Sequence, residues 1–229
     1  MDAAARVVLA ADAVADAGGG AGAGTDGDPP ALALGRVHEG CGPARRTLAI
    51  LLAAAARGPV LWIAPAHAAE RLHAAGVAAA GLDPARLTLV DAPRPDDILW
   101  STETALRHLA ATGAGGMVVA DLAGPPGLVA VRRLHLAAGG ADGGGSTLPL
   151  GLLLTPEDGG AQGIESRWHF APEPSPEPSL DASPDHSPAH TAWRLERRRA
   201  RGAAPAAWRL EAPATGPLRR HRLASPDPA

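Results

Sequence analysis

Between residues 31 and 170, short apolar runs alternate with longer stretches of helical character, and this alternation limits the fold more than any other feature. A run such as Val60-Leu61-Trp62-Ile63 is too short for a buried helix and lacks the polar alternation of a half-exposed strand. It reads as a strand covered on both faces, the kind found in parallel sheets. Further runs of this type cover residues 86–90, 116–122 and 150–154. Parallel neighbours need crossover connections, and the intervening segments supply them as helices over residues 66–80, 98–111 and 128–138. Leu99, Thr102, Leu106 and Leu109 recur near helical spacing, Asp96 and Asp97 open their helix, and Gly81 closes the one before it. A first helix over residues 44–56 stops at Gly58-Pro59. The expectation is an α/β protein with a mostly parallel sheet.

The 229 residues hold one domain of ordinary size plus tails. Residues 1–31 are rich in Gly, Ala and Asp and read as a flexible N-terminal segment, followed by an α/β core over residues 32–170. Residues 171–192 carry repeated Ser-Pro and Glu-Pro steps and read as a disordered Pro/Ser insertion. Trp193-Arg194-Leu195-Glu196 and Trp208-Arg209-Leu210-Glu211 flank a Gly/Pro-containing loop. The spacing predicts a C-terminal β-hairpin over residues 193–218 at an edge of the sheet, with residues 219–229 as a tail.

Composition excludes several classes of function. All 21 basic residues are Arg, and Ala, Gly and Pro are abundant, a bias toward GC-rich codons that says little about mechanism. A net charge of -3 argues against a surface that grips nucleic acid throughout, so any basic site is local. Cys41 is the single cysteine, and no Cys/His cluster has zinc-ligand spacing, which fits a reducing cytoplasm and no metal. Residues 1–14 lack the basic start of a secretory signal, and the longest apolar run, 48–56, is less than half a membrane span. The expectation is a soluble, cytoplasmic protein with no cofactor and no membrane partner.

Gly40-Cys41-Gly42-Pro43-Ala44-Arg45-Arg46-Thr47 lies at the start of the first helix and fits the frame G-x-x-x-x-G-K-[ST] with two faults. In an intact phosphate loop, backbone N–H groups curl round the phosphates, a Lys reaches them, and a hydroxyl holds Mg²⁺. Arg45 stands at the second Gly and Arg46 at the Lys, while Thr47 keeps the hydroxyl. A guanidinium keeps the charge but is larger and planar. Asp121 ends the apolar run 117–120, where a Mg²⁺-binding carboxylate would sit. Gly40, Arg46, Thr47 and Asp121 are therefore either remnants of a degenerate nucleotide site or parts of an ordinary loop, helix and strand.

Six segments in order resemble the ImuA family of bacterial damage-tolerance proteins. They are 34–39 (LGRVHE), the loop 40–47, 58–63 (GPVLWI), 81–87 (GLDPARL), 132–138 (RRLHLAA) and 165–168 (ESRW). The likeness runs over residues 32–211, apart from the Pro/Ser insertion. What the resemblance implies is a RecA-like core, LexA-controlled expression, and action beside an ImuB-type polymerase-like protein and an error-prone DNA polymerase III α subunit. RecA is a further implied partner, and DNA is contacted weakly or through these partners. The implied function is that of a non-catalytic accessory protein of SOS-induced translesion synthesis.

Departures from RecA-type ATPases bear on mechanism. Their catalytic Glu follows the strand corresponding to residues 60–63, where this chain has Ala64-Pro65-Ala66, with Glu70 expected on the next helix. The loops after residues 122 and 154, which hold DNA in recombinases, carry no basic residue here. The basic cluster is Arg194, Arg197, Arg198, Arg199 and Arg201, beside Trp193 and Trp208. It is a candidate partner-binding or single-strand-binding face, or else the solvated face of a terminal hairpin. Two alternatives stand beside the accessory reading: a residual RecA-type ATPase using Arg46, Thr47 and Asp121, and a SulA-like inhibitor of cell division.

Overall fold

The computed structural model describes residues 6–9, 11–12, 29–68, 70–139, 147–173, 191–212 and 218–223. Three short strands come first, β1 (Arg6–Val8), β2 (Ala11–Asp12) and β3 (Ala31–Ala33). The core follows as β4 (Val37–Cys41), α1 (Arg45–Ala55), β5 (Val60–Pro65), α2 (Ala74–Ala79), β6 (Leu87–Ala92), α3 (Pro95–Thr112), β7 (Met117–Asp121), α4 (Leu128–Gly139) and β8 (Leu150–Leu154). The chain ends with β9 (Ser166–Glu173), β10 (Thr191–Ala200), β11 (Ala206–Ala212) and β12 (Arg219–Leu223).

Ten strands form one sheet in the order β2-β12-β11-β10-β9-β4-β8-β7-β5-β6, and β1 pairs with β3 in a separate antiparallel ribbon. From β9 to β6 all neighbours are parallel, as the expected crossovers require. β9, β10, β11 and β12 are successively antiparallel, so the protein is α/β with a large, mostly parallel sheet and antiparallel C-terminal strands. No helix among the described residues is long and apolar enough to cross a membrane.

Side-chain alternation divides the core into two layers. Met117, Val119, Leu150, Leu152, Leu154 and Trp62 face α1, whereas Val118, Ala120, Leu153 and Ile63 face α3 and α4. β7 and β8 are buried at every position, which is why they read as unbroken apolar runs. α1 turns Leu48, Ala49, Leu52 and Ala53 to the first layer. Complete burial of each such Leu contributes roughly 1.5–3 kcal/mol.

Several elements differ from the sequence expectation. The helix expected over residues 66–80 is helical only at Ala74–Ala79, capped by the His73 imidazole, which accepts from the Gly76 amide. The segment before it is tied to β6 instead: Arg71 pairs with Asp91 and donates to the Ala66 carbonyl at 2.9 Å. Val37–Cys41, of which the sequence reading places only Gly40 and Cys41 in a loop and the rest in no element, is the strand β4, fully buried between β8 and β9. The hairpin β10–β11 is not an edge, because β12, within the expected tail, pairs with β11 and carries β2 beyond it. In the segment 1–31, expected to be flexible, β1 and the residue after it lay Val7 and Leu9 on the α1 layer, beside Leu32 of β3. Of the expected Pro/Ser insertion, residues 174–190 lie outside the described residues, while its ends belong to β9 and β10.

Candidate functional site

The degenerate loop connects β4 to α1 at the carboxyl end of the parallel strands, where ligands bind in open α/β sheets. Gly42 sits at φ +90°, and a Cβ there would lie 2.6 Å from the Phe170 carbonyl and 2.8 Å from His169 Nε2. The turn is therefore packed against β9. Its donors are committed to the protein: the Gly42 amide donates to the Glu157 carbonyl at 2.8 Å and the Ala44 amide to the Phe170 carbonyl at 3.0 Å. The Arg45 amide donates to the Gly42 carbonyl at 3.3 Å, and Pro43 has no N–H. From Gly42 to Arg45 no backbone donor is left to cradle a phosphate. Glu157, whose carbonyl caps the turn, holds φ at +53°, a backbone state rare for a residue with a side chain.

The cation position of the motif is turned inward. Arg46 Nε donates to Asp121 Oδ2 at 2.7 Å, and its Nη1 donates to Glu70. Asp121 is buried at the end of β7, Arg46 is half-buried, and Glu70 is exposed. Burial opposes the charge on Arg46, but the hydrogen bond and charge of Asp121, with Glu70 added, raise its pKa above the usual value. The guanidinium thus neutralises the buried Asp121 carboxylate. Glu70 lies in the coil before α2, not on a helix, so a carboxylate does reach the slot, bound to Arg46. Thr47 is half-buried on the first turn of α1.

A buried anchor that the sequence reading missed lies next to this turn. Glu39 on β4 is fully buried, and its Oε1 accepts from Thr155 Oγ1 at 2.7 Å, the Gly160 amide at 2.8 Å and the Ala161 amide at 3.0 Å. Its Oε2 accepts from Arg167 Nε at 2.5 Å. These bonds fix residues 155–163 over the end of β4, which places the Glu157 carbonyl on Gly42. His38, also on β4, is neutral: Nδ1 meets Ser166 Oγ at 2.6 Å, Nε2 meets the Ala33 carbonyl at 3.0 Å, and burial pushes its pKa down to about 4. Burial likewise raises the Cys41 thiol to about 11, so it is no nucleophile at neutral pH.

The C-terminal cluster divides between core and surface. Trp208 is buried against Trp168, with ring centroids 5.7 Å apart, and Arg197 is buried with its guanidinium 5.4 Å from the Trp208 ring and 5.9 Å from the Trp168 ring. Arg197 Nε also donates to the Ala204 carbonyl, so neither Arg197 nor Trp208 is a surface contact. Trp193 stacks on Phe170. On the outer face Arg194 and Arg198 pair with Glu196, Arg198 also pairs with Asp158, and Arg209 pairs with Glu173 and Glu211. Arg199 and Arg201 are exposed, the latter 4.0 Å from Glu165. The face is a charge-balanced lattice more than a basic stripe. No family model and no curated protein sequence matches the chain.

Proposed function

We propose that this chain is a RecA-like, non-catalytic accessory protein of the ImuA type. It binds an ImuB-type polymerase-like protein, and RecA beside it, to bring an error-prone DNA polymerase to lesions in the cytoplasm. The ordered sequence echoes support the family reading. The observation that carries the absence of catalysis is the Arg46 clamp on Asp121 and Glu70, together with the committed donors of the Gly42–Arg45 turn. Phosphoryl transfer depends on positioned phosphates and a metal, and here an internal cation fills the metal's electrostatic role. Two measurements test the reading together. Purified protein is expected to show no ATP turnover, whereas hydrolysis near about 1 per second, abolished by Thr47→Ala, overturns it in favour of an ATPase. Tagged protein from DNA-damaged cells is expected to carry the polymerase-like partner, whereas recovery of a cell-division protein instead supports the inhibitor.

A further inference from the structure

We draw no further inference here: the strongest candidate, the cavity of about 110 Å³ at the amino ends of β4 and β9 lined by Arg6, Arg197, Arg201 and Ser166, carries nothing, because each of these arginines is already engaged within the protein and no charge is left to select a ligand.

Discussion

Arg46 has two carboxylate partners of very unequal worth, because Asp121 has 6% of its side chain exposed and Glu70 has 80%. Removal of the guanidinium leaves Asp121 buried without its charge partner, whereas removal of Glu70 breaks a contact already screened by water. Arg46→Met is expected to lower the unfolding free energy by about 2 kcal/mol, a buried-pair loss reduced for partial solvent access, and Glu70→Gln by less than about 0.5 kcal/mol. Urea unfolding midpoints measure both, and equal losses would mean that Asp121 is satisfied some other way. His38 gives a second residue-scale expectation. Its pKa is about 4 in the folded protein, below the ordinary 6.5, so between these values the unfolded chain binds the proton first. The stabilisation is complete above pH 6.5 and is lost as pH falls toward 4, by about 3 kcal/mol over the window. His135 shifts in the same direction through burial and steepens the fall. Unfolding followed from pH 7 to 4 should show this slope, and His38→Gln should flatten it; an unchanged slope in that variant would locate the acid sensitivity elsewhere.

Among the elements, the segment 155–163 depends on Glu39, and glycines report how tightly it is held. A Cβ at Gly159, which has φ +74°, would lie 2.7 Å from Glu39 Oε1, whereas Gly202 has φ +77° with nothing within 4 Å. Both substitutions to Ala incur the left-handed backbone penalty, about 1 kcal/mol, but only Gly159→Ala also displaces the carboxylate from its donors. Thermal unfolding is therefore expected to show a loss of about 1 kcal/mol for Gly202→Ala and at least about 2 kcal/mol for Gly159→Ala. Similar losses at the two sites would mean that the Glu39 anchor yields without strain. The strands β5, β7 and β8 and the helices α3 and α4 were legible because apolar periodicity directly reports burial. β4 was not, since Val37-His38-Glu39-Gly40-Cys41 buries two polar side chains whose partners, Ser166, Thr155 and Arg167, lie more than a hundred residues away. The Ala-rich stretch before α2 misled in the opposite way. High helix propensity there gives way to the Arg71 contacts with Asp91 and Ala66.

For the molecule as a whole, the contrast between motif and geometry decides how nucleotide should act on it. The departures from the G-x-x-x-x-G-K-[ST] frame were visible at Arg45 and Arg46, but the closure of the turn was not, because it comes from β9 and residues 155–163, remote in sequence. The surroundings of the basic hairpin were hidden for the same reason: beside Glu196 and Glu211 within it, Glu173 and Asp158 on other segments supply counter-charges, and the sheet places Arg197 against two buried Trp rings. A ligand that binds only the folded state raises stability by RT ln(1 + [L]/Kd), which reaches about 2.7 kcal/mol at a hundredfold excess over Kd. Millimolar Mg·ATP is expected to leave the melting temperature of this protein within about 1 °C of its apo value, since a shift of several degrees needs roughly 1 kcal/mol or more. The informative variant restores the motif, Arg45→Gly with Arg46→Lys. If the missing side chains alone had silenced the site, that double variant would gain a clear Mg·ATP-dependent rise. The Gly42 and Ala44 amides remain bonded to Glu157 and Phe170 in it, so the expected result is a lower melting temperature from the broken Asp121 contact and still no rise with nucleotide. A rise of several degrees in the double variant would show that the turn opens readily, and that only Arg46 keeps phosphate out.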